Sequence, residues 1–378
     1  MSTPQAYSYL DAGAPQIIFN DPQTFLNVLK SVLVSGYGTK SSAGWSLFAE
    51  DQIAHKLVLK QGPGGISSPP AKYFRLGNLQ SGFIGIQPSW LSYGPGWYFD
   101  ARGYESMTTI DTGLAPFPQQ NQISTGNYNW TYGCVPNSVS TLSAIYTYTA
   151  TVPWCIVADD RIFYLILYPG MTTPDPLGNN YPTPIIFVFG DIKQEISSDQ
   201  YATVISAVDY NENTGSTGTP ANVFQQINSS GTFLNYGNKF LNISTNSGAA
   251  GTTYFYFCRS INGQVTPINA SIGYRTSECD LNGGFFSSLN GVTGGNLGVQ
   301  PYANTIYFDQ PYVHEQGTLR GRLPGVLASS LPTATLLNMF SSGLTSFTNN
   351  GIPMFYCRLG PNQGTYLHLF FRLDAWRT

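Results

Sequence analysis

Trp154-Cys-Ile-Val-Ala-Asp-Asp-Arg-Ile-Phe-Tyr-Leu-Ile-Leu-Tyr168 sets the structural class of this chain. It holds two apolar runs, Trp154–Ala158 and Ile162–Tyr168, rich in β-branched and aromatic residues and parted by three charged ones. Each run has the length of a strand and falls far short of the ~18 apolar residues of a membrane span. Adjacent residues of a strand point to opposite faces, so Asp159 and Asp160 make a poor acid–base pair. They read as the end of one strand and the start of the next, with Arg161 beside them as counter-charge.

Outward from this hairpin the period of two continues. Ala144-Ile-Tyr-Thr-Tyr-Thr-Ala150 alternates β-branched and aromatic residues, and Thr253-Tyr-Phe-Tyr-Phe-Cys-Arg259 carries large side chains on both faces. Further strands are predicted at Lys56–Gln61, Gly82–Ile86, Ile185–Phe189, Thr305–Phe308 and Tyr366–Leu373. One helix stands out over about residues 22–34. Asp21 can cap it, Pro22 suits its first position, Phe25, Leu26, Val28, Leu29, Val32 and Leu33 form its apolar stripe, and Gly36 stops it. Ser198–Ala207 and Thr333–Phe340 are shorter helical candidates. The expected fold is mostly β, with antiparallel sheets in a sandwich or barrel-like arrangement, one N-terminal helix and a few short helices.

Asn, Gly, Ser and Thr dominate Pro169–Pro184, Asp209–Pro220 and Asn242–Thr252. The Asp209 stretch is the expected boundary between a β-rich domain of residues 1–207 and a second one of residues 208–378. Asn282–Gly298 reads as turns between strands, and no repeat of fixed period appears.

The 378 residues include only 10% charged side chains, against roughly 25% in an ordinary soluble chain, so uncharged polar residues must cover the surface. A net charge of −3 lacks the basic excess of a protein that tracks phosphates, which excludes nucleic acid as a main ligand. No apolar run reaches the length of a membrane-spanning helix, so no membrane insertion is expected. Met1-Ser-Thr-Pro-Gln5 has neither the charged nor the apolar region of a signal peptide, so synthesis in a reducing cytoplasm is expected. Cys134, Cys155, Cys258, Cys279 and Cys357 are odd in number, widely spaced and without a C-x-x-C pair, and read as buried thiols.

His55, His314 and His368 stand far apart, so no metal site is expected. Asp209-Tyr-Asn-Glu-Asn213 opens like a calcium loop but has Thr214 at position six and Pro220 at position twelve, which leaves an Asx-rich turn. The chain contains no nucleophile elbow and no phosphate-binding glycine loop. No catalytic residue and no cofactor are therefore assigned. The 25 Tyr, 23 Phe and 6 Trp residues suit β cores, subunit contacts or sugar stacking, with Trp90, Tyr93, Trp97 and Trp130 as turn aromatics for the last use.

Several stretches, in this order, resemble a family of uncharacterised virion structural proteins of tailed bacteriophages. They are Asp11-Ala-Gly-Ala-Pro15, Leu33-Val-Ser-Gly-Tyr-Gly-Thr-Lys40 with Ala43-Gly-Trp45, and Ala101-Arg-Gly-Tyr-Glu-Ser-Met107 with Asp111-Thr-Gly113. Trp154–Arg161 with Phe163-Tyr164, Phe189-Gly-Asp191 and Leu319-Arg-Gly-Arg-Leu-Pro-Gly325 follow, and Asp374-Ala-Trp-Arg377 resembles the family's ending. The region between about 192 and 251 is expanded relative to that pattern. The resemblance implies a non-enzymatic particle component made in the bacterial host cytoplasm and residing in the virion, in the tail, baseplate or neck. Head decoration and a carbohydrate-binding host-adhesion module are the alternatives. Expected partners are other virion proteins and symmetric copies of the chain, with a host surface glycan for the adhesion alternative. Structural or interface candidates are Trp45 as an apolar anchor after the glycine turns, and the scarce charges Arg102, Glu105, Asp111, Asp160, Arg161, Arg320 and Arg322. These charges either pair across strands or subunits or stand as solvated surface groups.

Overall fold

The computed structural model describes residues 3–18, 21–63, 72–80, 97–117, 122–123, 126–127, 129–134, 151–168, 185–207, 222–227, 233–235, 254–259, 261–263, 268–273, 308–309, 312–315, 318–329, 343–362 and 365–376. The hairpin of Trp154–Ala158 and Ile162–Leu167 forms as expected, with Ile156 opposite Leu165. Around it grows a ten-stranded antiparallel sheet. Its order is Gln5–Ser8, Trp154–Ala158, Ile162–Leu167, Ile185–Asp191, Thr203–Ala207, Tyr254–Cys258, Ile268–Gly273, Tyr312–Glu315, Thr318–Arg322 and Lys193–Gln194. The boundary expected after residue 207 falls between two hydrogen-bonded strands of this sheet, where Ile205 faces Cys258.

Every residue of the two hairpin strands is buried, because the central sheet is covered on both faces. Alternation sends Trp154, Ile156, Ala158, Phe163, Leu165 and Leu167 to one side. There they meet the helix and a seven-stranded sheet that runs Phe233–Asn235, Asn222–Ile227, Asn129–Cys134, Trp97–Tyr104, Tyr73–Gln80, Lys56–Lys60, Ser46–Asp51. Leu57, Leu59, Phe74 and Ala101 are the contribution of that sheet to the shared core. Phe163 lies at its centre, with ring centroids 5.3 Å from Phe74, 5.4 Å from Trp45 and 5.8 Å from Phe187. Each such ring is worth roughly 1.5–3 kcal/mol in area removed from water.

The other side carries Cys155, Val157, Ile162, Tyr164 and Ile166. It packs on a five-stranded sheet ordered Phe308–Asp309, Val326–Ser329, Thr365–Arg372, Ile352–Asn362, Leu344–Asn349. Leu344, Phe355, Cys357, Leu369, Phe371 and Trp376 complete this second core. Mostly antiparallel β architecture is thus realised as three stacked sheets with a shared middle layer.

The helix occupies Pro22–Lys30 and continues as one π-type turn over Ser31–Ser35. Asp21 caps it by accepting from the Gln23 amide at 3.1 Å, and the Gly36 amide closes it on the Ser31 carbonyl at 2.7 Å. Phe25, Leu26, Val28, Leu29, Val32 and Leu33 are fully buried against the central sheet. None of the described helices is long and apolar enough to cross a membrane.

Two expectations need correction. Ser198–Ala207 is a turn followed by the strand Thr203–Ala207. The Asp199 side chain accepts the Tyr201 amide at 2.8 Å and so stabilises a turn, while Thr203, Val204 and Ile205 are β-branched and fill a slot in the central sheet. Trp97 and Trp130 lie in strands of the seven-stranded sheet, not in turns. The predicted strands Ala144–Ala150 and Gly82–Ile86, most of Thr305–Phe308, the helix Thr333–Phe340, Trp90, Tyr93 and the four loop stretches lie outside the described residues.

Candidate functional site

The sequence concentrates its few charges at the turn after Ala158, and the turn is built by them. Asp159 Oδ1 accepts the amides of Arg161 and Ile162, each at 2.8 Å, and the Asp159 amide reaches the Ile162 carbonyl at 3.0 Å. This spends Asp159 on backbone and directs Arg161 inward. Arg161, 1% exposed, gives Nε to Asp191 Oδ2 at 2.8 Å and Nη2 to the same oxygen, with Nη1 on the Gly62 carbonyl at 3.2 Å. Asp191 also accepts from Gln61 Nε2 at 3.1 Å and from the Thr203 hydroxyl. The pair is therefore a fully engaged buried ion pair.

Asp191 can stand there only because its neighbour is glycine. Gly190 has φ 141°, and a Cβ on it would lie 2.2 Å from the Arg161 carbonyl oxygen and 2.4 Å from Ile162 Cα. Asp160 is buried beside the same junction, and its carbonyl accepts the Gly62 amide at 2.8 Å. Trp45 anchors the turn from the seven-stranded side, where its Nε1 donates to the Asp159 carbonyl at 2.8 Å.

A second junction forms around Arg320, which has no exposed surface. Its Nε meets Asp199 Oδ2 at 2.8 Å, Nη1 donates to the Arg259 carbonyl at 2.6 Å and Nη2 to the Tyr201 carbonyl. Arg259 lies between the rings of Phe117 and Tyr201, 4.8 and 4.7 Å from their centroids, and pairs with Glu105. Burial and the neighbouring Arg320 lower the pKa of Arg259 to about 10. Glu105 is shared with Lys72, whose ammonium is nearly buried. Burial first, and then the Arg259 charge, lower the Lys72 pKa to about 8 despite the adjacent carboxylate.

Of the remaining candidates, Asp111 and Arg322 lie nearer the surface. Asp111 accepts from Lys56 Nζ and Arg75 Nη2, both at 2.8 Å, and the Lys56 bond leads in holding its carboxyl below the ordinary range. Arg102 is buried on the Trp97–Tyr104 strand, in register with Arg75. Arg322 bonds the half-exposed Glu195 at 2.7 Å.

Reasoning from sequence did not single out Asp199, Gln61, Lys72 or Arg259. Asp191 appeared there only inside a motif, although a carboxylate ending the apolar run from Ile185 already signals a buried partner. The Asp191 and Asp199 carboxylates, each engaged by a buried guanidinium group, tie strands and turns of the central sheet together. Among the described residues no three His, Cys, Asp or Glu side chains converge to hold a metal ion.

The motifs quoted from the sequence meet one another in space. The Tyr37 hydroxyl donates to Asp11 Oδ2 at 2.7 Å, Trp45 bonds Asp159, Arg161 pairs with Asp191, and the Tyr164 hydroxyl donates to the Pro324 carbonyl at 2.8 Å. Gly325, at φ 77°, lies against the Trp376 indole, where a Cβ would come within 2.1 Å of Nε1. No protein-family model matches the chain, and no curated protein matches it.

Proposed function

We propose that this chain is a non-enzymatic structural component of a tailed-bacteriophage virion, built into the tail, baseplate or neck with symmetric copies of itself and other particle proteins. The observation that carries the reading is the use of its scarce charges. Arg161, Asp191, Arg320, Asp199, Lys72 and Arg259 are buried in internal pairs that join sheet to sheet and loop to sheet. A chain with so few charges that buries several of them in its own layers suits a part held by close packing against neighbours. Of these residues, Arg161, Asp191 and Arg320 fall within the stretches that resemble phage particle proteins, and this supports the reading.

Antibody-gold labelling of purified particles tests the reading, with antibody raised against the recombinant chain. Label at the tail end or neck is the expected result. Label over the head would reassign the protein to decoration, and failure of denatured particles to react would overturn the virion reading.

A further inference from the structure

The two cores are separated by the central sheet, and the second of them holds a pair of thiols at its middle. Cys155 lies on Trp154–Ala158, an inner strand of the central sheet, opposite Ile166 on one side and Ser8 on the other. Cys357 lies on Ile352–Asn362, an inner strand of the five-stranded sheet, between Leu344 and Leu369. The residues are 202 positions apart in sequence, yet their sulfurs face each other at 3.2 Å across the interface of the two sheets. Both are free thiols with no exposed surface. A covalent S–S bond is about 2.0 Å long, so roughly one ångström of approach separates the contact from a bond.

We propose that Cys155 and Cys357 are a latent inter-sheet disulfide, reduced in the cytoplasm and closed when the protein meets a small-molecule disulfide oxidant. Each thiol gives up its proton, and the two sulfurs together give up two electrons as the new bond forms. The oxidant's S–S bond takes those two electrons and both protons and leaves as two thiols. A mixed disulfide with one cysteine is the intermediate, resolved by the sulfur already in contact.

Burial keeps the pair quiet until the core opens. Lack of solvent and the hydrogen bond with Cys155 raise the pKa of the Cys357 thiol well above the ordinary range, which suppresses the thiolate. Entry for the oxidant runs past Leu344–Asn349, which is the edge strand of its sheet and pairs Leu344 directly with Cys357. An edge strand is the first part of a sheet to open. Once closed, the bond constrains a loop of 202 residues and fastens the central layer to the outer one.

The test uses the full chain, incubated natively with glutathione disulfide, and in parallel refolded in a glutathione redox buffer. Both samples are alkylated in denaturant and digested without reduction. The expected product is a peptide pair joining Cys155 to Cys357, lighter by two hydrogens, accompanied by a rise in the urea midpoint of ~1–2 M that dithiothreitol reverses. Cys155→Ala should lose both signals, and Cys134→Ala should keep them. Alkylation of both cysteines after both treatments, or linkage of either one to Cys134, Cys258 or Cys279, would overturn the proposal.

Discussion

Replacing Asp191 by alanine should be among the most damaging single changes in the protein, because it strands a buried cation. Arg161 is 1% exposed and gives Asp191 two of its guanidinium donors, and Gln61 and Thr203 donate to the same carboxylate. Removing one partner of a buried pair costs about 3–5 kcal/mol, much of it the penalty of the charge left behind. At a urea slope of about 3 kcal/mol per molar, this lowers the unfolding midpoint by roughly 1–2 M. Arg161→Met should cost a similar amount by stranding the carboxylate. The double variant Arg161→Met with Asp191→Leu removes both charges and keeps apolar volume, so it should recover most of the loss. Urea unfolding followed by tryptophan fluorescence completes the double-mutant cycle. Single losses below about 1 kcal/mol, or a double variant that costs the sum of the singles, would refute the claim that the two groups are coupled in a dry junction.

Three further outcomes follow from the same geometry. Gly190→Ala forces both a positive φ and a clash with the Arg161 carbonyl, so it should destabilise by about 2–3 kcal/mol or prevent soluble expression, readable as a lowered melting temperature. Trp376→Ala empties the slot over Gly325 in the second core and should cost about 3–5 kcal/mol, with faster proteolytic cleavage within residues 343–376. Lys72 has a pKa of about 8 when folded against 10.5 as its ordinary value, so its penalty is present below pH 8 and is relieved as pH rises toward 10.5. Wild type should therefore gain about 2 kcal/mol between pH 7 and 9.5 relative to Lys72→Met, measured as the difference in urea stability.

Much of the fold is legible without coordinates. The runs Trp154–Ala158 and Ile162–Tyr168 have strand length and composition, and their three-residue charged break can hardly be anything but a turn. The helix shows all its local signs, from the Asp21 cap to the Gly36 stop. Where local signs compete, reading fails. Ser198 opens a plausible helix, but Asp199 forms a turn and the β-branched residues that follow fill an available place in the sheet. Trp97 and Trp130 look like turn aromatics because prolines, glycines and asparagines surround them, whereas their strands are recruited by distant neighbours.

Local pattern settled the strand-rich class, the helix and the tight turn, since each depends on residues a few positions apart. It also offered Trp45 as an apolar anchor, Arg161 as the counter-charge of its turn, and Arg320 as a scarce charge either paired or solvated. Which partners they take is a matter of long-range closure: Trp45 reaches Asp159 across 114 positions, Arg320 reaches Asp199 across 121, and Cys155 meets Cys357 across 202. Sheet pairing and layer stacking bring such residues together, because backbone hydrogen bonding is indifferent to sequence and only the collective burial of both faces selects one arrangement. The three stacked sheets and the charged junctions between them were accordingly decided by tertiary structure alone.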